Sequence, residues 1–212
     1  MPATNPADVL RTGLIELEGL DADSRQISSL LAYLDLLNHW NRTYNLTSVK
    51  KPTDMVTRHL LDSLSVLPSL RGRRVLDAGS GGGLPGVPLA IARPELDVTL
   101  LDSVGKKIRF LNHVRRELGL ANIKPVQSRL ETFEENTGFD VVISRAFSDL
   151  ASFVKAARHL LSDSGALYAM KGRYPEGELE ALPARIRVDS VEKLTVPGLQ
   201  EDRHLVIMSV NA

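Results

Sequence analysis

The chain contains no cysteine, which excludes a disulfide framework and any thiolate metal site and fits a reducing compartment. It lacks the run of about 20 apolar residues that a bilayer span requires. The opening residues Met1-Pro2-Ala3-Thr4-Asn5-Pro6 do not follow the basic-then-apolar order of a secretory leader. A cytoplasmic protein with no membrane partner is the expectation. Neither sign of charge is in excess: 26 basic residues stand against 26 acidic ones, which argues against a uniformly basic nucleic-acid binder. The local clusters Lys50-Lys51, Arg71-Arg73-Arg74, Lys106-Lys107-Arg109 and Arg115-Arg116 read equally well as solvated surface. His39, His59, His113, His159 and His204 show no ligand spacing, so no metal is expected. At 212 residues with 43% hydrophobic content, the chain is long enough for one α/β unit with an appendage.

What is present is the stretch from Val75 to Gly86, Val-Leu-Asp-Ala-Gly-Ser-Gly-Gly-Gly-Leu-Pro-Gly. Arg73 to Leu76 reads as a buried strand, the glycines as a tight turn, and Val87 to Ala92 as a helix that Pro94 stops. A second strand, Asp97 to Leu101, completes a βαβ unit whose turn faces a nucleotide-like ligand. Gly81-x-Gly83-x-x-Gly86 fits the dinucleotide pattern but lacks the Lys-Ser/Thr ending of a P-loop. Asp77 discriminates between the candidates. A carboxylate there repels a pyrophosphate and attracts a cationic ligand, and S-adenosylmethionine (SAM) carries both a sulfonium and an ammonium. The Asp77-x-Gly79-x-Gly81 spacing therefore points to SAM, with Asp102, closing the second strand, placed to accept hydrogen bonds from the ribose hydroxyls.

Residues 1–70 read as an N-terminal helical cap and residues 71–212 as the α/β unit. Asp8 to Leu17 predicts a short helix ending near Gly19. The Asp23-Ser24 cap precedes Ile27, Leu30, Leu31, Leu34, Leu37 and Trp40 at helical spacing. Asn41 to Ser48 reads as a loop and Asp54 to Leu64 as a third amphipathic helix. Trp40 and Tyr44 read as packing residues, with base stacking as the alternative. In the α/β part, helices are expected over 104–118 and 150–161, and strands over 123–127, 139–143, 166–170, 186–196 and 204–210. The last two strands, with no long helix between them, predict an antiparallel C-terminal hairpin on a mostly parallel, Rossmann-like sheet of the SAM-dependent methyltransferase kind.

Ligands of such sheets sit beyond the carboxyl ends of the strands. That rim would collect Gly79 to Leu84, Asp102, Leu130, Glu131, Ser144, Arg145 and Lys171. At a strand end a guanidinium such as Arg145 can hold a carboxylate, a phosphate or a guanine edge. Lys171 and Arg203 are candidates for phosphate contact, with ion pairs inside the fold as the competing explanation. No residue stands out as a general base.

With Asn45 to Ser48, Arg58 to Ser63, Asp77 to Pro88, Ser144 to Phe147, Met170 to Gly172 and Asp202 to Leu205 in view, the chain resembles the bacterial RsmG (GidB) family. The resemblance implies a SAM-dependent methyltransferase acting on guanine N7 in the 530 loop of 16S ribosomal RNA, either free or within a small ribosomal subunit or its precursor. It further implies that Gly79 and Leu84 line the cofactor pocket, that Leu130 and Glu131 frame the adenine, and that Arg145 bounds the methyl-transfer side as the catalytic residue. Only the resemblance points to the RNA, and it sets no oligomeric state. A small-molecule methyltransferase, a NAD-linked oxidoreductase and a non-catalytic RNA-binding module stay open as alternatives.

Overall fold

Side chains alternate faces along a strand, and β1 (Arg74–Ala78) buries both of its faces in different company. Val75 joins a large apolar cluster shared with the N-terminal helices, while Leu76 and Ala78 join a second cluster on the opposite side. The computed structural model describes residues 5–17, 20, 22–145 and 147–210. The helix end expected near Gly19, and Ala146 of the strand-end motif, lie outside the described residues.

The described strands form one sheet in the order β3-β2-β1-β4-β5-β7-β6. Strands β2 (Asp97–Asp102), β3 (Ile123–Gln127), β4 (Phe139–Ser144) and β5 (Leu161–Lys171) join β1 in parallel pairing. The chain reverses direction across the sheet between β2 and β4, on either side of β1, so the crevice after β1 is the switch point at which such sheets bind ligands. The antiparallel ending is present, with one difference. The last strand, β7 (His204–Val210), lies inside, between β5 and β6 (Ile186–Lys193), and runs opposite to both. Leu205, Val206 and Met208 are buried, whereas the more polar β6 takes the edge, where its charged side chains remain in water.

On one face, α1 (Pro6–Glu16) and α2 (Ser24–Tyr44) pack with α3 (Pro52–Met55), a π-helical turn over Val56–Leu61 and α4 (Asp62–Leu64). They share that core with α5 (Gly86–Ala92) and α6 (Gly105–Glu117). Helix α2 starts at a complete capping box: Gln26 N–H donates to Asp23 at 2.8 Å and Asp23 N–H to the Gln26 side chain at 2.9 Å. Helices α7 (Leu150–Ala157) and α8 (Glu176–Glu180) lie with the other cluster.

Three expectations need correcting. Helix α2 continues through Tyr44, into the stretch read as a loop, and stops at Asn45 in the left-handed conformation with φ 50°. The helix expected over 54–64 contains the wide π turn. The helix expected over 150–161 ends at Ala157 followed by a 3₁₀ turn, and β5 already begins at Leu161. Gly165 lies within β5, where an added Cβ would strike the Phe139 carbonyl beside a register shift against β4.

Candidate functional site

The loop between β1 and α5 is held by its own backbone. The N–H groups of Gly79 and Ser80 both donate to the Leu101 carbonyl at 2.9 Å, which fastens the turn to β2. Gly79, Gly81 and Gly83 all have positive φ. At Gly83 a Cβ would also lie 2.6 Å from Val87 Cγ2 and 2.8 Å from Leu111 Cδ2, so the close approach of loop and helices excludes a side chain. Tyr33 of α2 donates its buried hydroxyl to the Gly82 carbonyl at 2.6 Å. An N-terminal helix thus holds the glycine turn, a contact between residues too far apart in sequence for local patterning to reveal.

Asp77 is fully buried, and its Oδ2 accepts from Gly86 N–H at 2.9 Å. The carboxylate therefore lies beneath the loop and does not form part of the cavity wall; any attraction it exerts on a cation acts through the loop. Its Oδ1 is buried with no partner, and burial pushes the carboxyl up to about 7.

A cavity of about 380 Å³ opens beside the loop, and Gly79, Asp102, Val104, Lys107, Leu130 and Phe147 contribute to its lining. Asp102 is almost buried, and both of its oxygens accept hydrogen bonds. Oδ1 accepts from Val104 N–H at 2.9 Å, and Oδ2 accepts from Gly81 N–H at 3.0 Å and from the Lys107 ammonium at 3.1 Å. Lys107, read from sequence as part of a surface cluster, is the counter-ion of this acid. Leu130 is buried at the start of a 3₁₀ turn and Glu131 stands exposed beside it, both on the lining. Leu84 is half-buried against the larger core and is not among the lining residues, and Gly81 takes part through its N–H.

Arg145, at the end of β4, faces a different group. Its NH1 lies 3.2 Å from Asp62 Oδ2, with weaker contacts to Ser63 Oγ at 3.4 Å and the Arg58 carbonyl at 3.5 Å. Arg203 Nε reaches Asp62 Oδ1 at 2.9 Å. Burial pushes the Asp62 carboxyl up, and the two guanidiniums pull against that. Lys171 pairs with Glu178 at 2.8 Å and contacts the Ser148 carbonyl at 3.2 Å. The cations expected to meet phosphate are thus paired within the fold, with Asp62 and Glu178 as partners that sequence reasoning had not assigned. Asp62 does stand in the Arg58–Ser63 motif, which was the one available signal.

His59, also in that motif, is buried. Its Nε2 lies 2.8 Å from Thr47 Oγ1, its Nδ1 has no partner, and burial lowers its pKa to about 4, so the ring is neutral at pH 7. Trp40 packs against Tyr44, Phe110 and His113 with ring centroids 5.1, 5.5 and 5.3 Å away, which is the packing role expected for it. Among the described residues no group of three or more His, Asp or Glu is placed to hold a metal ion, and no helix is long and apolar enough to cross a membrane.

Residues 26–206 match the family described as GidB, rRNA small subunit methyltransferase G. A protein of Enterobacter sp. (strain 638) named ribosomal RNA small subunit methyltransferase G is 50% identical over 198 residues, spanning 93% of this chain and 96% of that protein. Its namesake from Escherichia coli O17:K52:H18 (strain UMN026 / ExPEC) is 50% identical over 200 residues, with 94% and 97% covered. Among solved structures, a SAM-dependent methyltransferase from Aquifex aeolicus superposes with a TM-score of 0.57 at 18% identity, covering 85% of this chain and 98% of that one. A Burkholderia thailandensis 1,6-didemethyltoxoflavin-N1-methyltransferase does so with a TM-score of 0.56 at 14% identity, covering 91% and 92%. At these identities the structural likeness is one of fold.

Proposed function

The chain belongs to the rRNA small subunit methyltransferase G (GidB) family, and on that premise we propose that it methylates N7 of a guanosine in the 530 loop of 16S ribosomal RNA, using SAM. The observation that carries the reading is the cavity between the glycine loop and the end of β2, with Asp102 at its wall, in a chain of this family. The residues present fit the cofactor. Val104, Leu130 and Phe147 offer apolar surface for an adenine, and Asp102 offers acceptors for a ribose diol. The unpartnered Oδ1 of Asp77 places negative potential under the loop, where a cationic methionine end would lie.

When bound, SAM supplies an electrophilic methyl group on a sulfonium. Guanine N7 has an in-plane lone pair, so this chain needs no general base, and neither Asp62 nor neutral His59 has to take a proton. The protein then contributes proximity and alignment, worth roughly 7–11 kcal/mol in favourable cases. Gly79, Gly81 and Asp102 fix the cofactor end. Arg145 orients the guanine or an adjacent phosphate, and Lys171 and Arg203 hold RNA phosphate. Single-stranded loop RNA allows the base to be splayed out toward such a rim. Residues 1–70 act as a cap on the unit formed by 71–212.

The test is methyl transfer from labelled SAM to unmodified 16S RNA and to 30S particles, followed by mapping of N7-methylguanosine. Label on that base in either substrate is the expected result. Label only in a cell-extract metabolite pool would instead assign a small-molecule methyltransferase. A thermal shift with NAD and none with SAM would overturn the cofactor.

A further inference from the structure

Three distant segments of the chain meet at Asp62. The residue follows the π turn, its side chain is 4% exposed, and each of its oxygens faces a different guanidinium, Arg145 from the end of β4 and Arg203 from the start of β7. Ser63 and the Arg58 carbonyl, from the same helical segment, approach the Arg145 guanidinium as well. Burying one acid with two bases is a poor route to stability, because desolvating the ions offsets much of their attraction and apolar replacements commonly serve as well. The triad also retains one net positive charge. It lies at the carboxyl-end rim, and among the described residues Arg145 Nε has no hydrogen-bond partner, so part of the guanidinium is left to meet something else. π turns recur at functional sites, and this one sets the segment that carries Arg58, Asp62 and Ser63.

We propose that Asp62 is a positioning residue for methyl transfer: it clamps Arg145, with Arg203 as the second jaw, so that the free edge of the Arg145 guanidinium is presented to the target nucleotide. The inference rests on the rRNA-methylation reading. Asp62 touches neither substrate nor cofactor. It holds Arg145 through NH1, 3.2 Å from Asp62 Oδ2, and the triad's single excess positive charge matches the single negative charge of a backbone phosphate beside the base. A lysine at 145 would keep the charge but lose the planar fork.

The test is a double-mutant cycle, read as kcat and KM for 16S RNA and as Kd for SAM. Asp62→Asn is expected to lower kcat by 10- to 100-fold, with SAM Kd unchanged within twofold. In an Arg145→Lys background, the same substitution should cost less than a further threefold, because the residue it positions is already altered. A kcat for Asp62→Asn within threefold of the parent overturns the proposal, and so do losses that multiply across the cycle. If Asp62→Asn does not fold, Arg203→Gln carries the test: a three- to tenfold loss of kcat with SAM Kd intact supports the clamp, and no loss overturns it. An unmutated protein that binds SAM but methylates no RNA would signal failure of the underlying function, distinguishable from an active parent with a fully active Asp62→Asn.

Discussion

On the proposed function, the site has a cofactor half and a substrate half, and the two are built in different ways. The cofactor half is local and made largely of backbone: Gly79, Ser80, Gly81 and Gly86 use their N–H groups within the stretch that runs from β1 to the end of β2. The substrate half is non-local and made of side chains. Asp62, Arg145, Lys171 and Arg203 come from four separate parts of the chain, and each cation there rests on a carboxylate. A backbone cradle is preorganised because its geometry is that of the turn itself. The ion pairs hold their cations side chain to side chain, and with Asp62 at 4% and Lys171 at 12% exposed they are largely desolvated, so each cation depends on having an anion beside it. The contrast suits a small cofactor of fixed shape on one side and a charged polymer on the other.

The strongest way to break the comparison is Gly83→Ala. Left-handed strain and the clash with Val87 and Leu111 together should cost roughly 2–5 kcal/mol and abolish SAM binding, read by urea denaturation and calorimetry. Gly177→Ala, where a Cβ meets nothing within 4 Å, is the matched control and should leave both unchanged or slightly improved. Asp102→Ala comes next. Losing charged hydrogen-bond acceptors should weaken SAM by about 10- to 100-fold while leaving RNA affinity alone, and an equal loss of RNA affinity would show that the two halves are not separable.

Asp77→Asn sharpens the cofactor half through pH. Because burial raises this carboxyl from 3.8 to about 7, ionising it penalises the folded state increasingly as pH rises through that window, and the penalty is complete above it. The variant should therefore gain stability over the parent progressively between pH 4 and 7, level off above pH 7, and bind SAM less tightly. Parallel stability curves across that range would refute the buried charge. The smallest effect is expected on the substrate half. Lys171→Gln should raise KM for RNA about three- to tenfold, less steeply so at high salt, with SAM Kd unchanged, and a shift in SAM Kd would blur the division.

The legibility of each part follows from how it is built. The βαβ unit, Asp102 and the closing antiparallel strands were readable because alternation, glycine spacing and chain order encode them directly. The inward position of β7 was not, since two adjacent strands of similar length carry no label for edge and interior until the burial of their side chains is compared. Asp77 was read as a carboxylate facing a cationic ligand, and only the packing of Gly86 against β1 shows that it lies beneath the loop. Leu84 was expected on the cofactor wall, yet its apolar side chain packs into the larger core. Lys107, Asp62 and Glu178 drew no pairing from sequence: Asp62 lies 141 residues from Arg203, and Lys107 and Glu178 face their nearer partners across turns whose geometry no periodicity announces.

The sequence by itself determined the sheet class, the glycine cradle and the acid that ends β2, since these depend on residues close together along the chain, where covalent geometry and periodicity act. Only the tertiary structure decided which cations stand paired, that Tyr33 holds the glycine loop, and that Asp62 joins Arg145 to Arg203. Those contacts depend on which distant segments the packed core brings within 3 Å or so, and hydrogen bonds and ion pairs at that range are indifferent to separation along the chain.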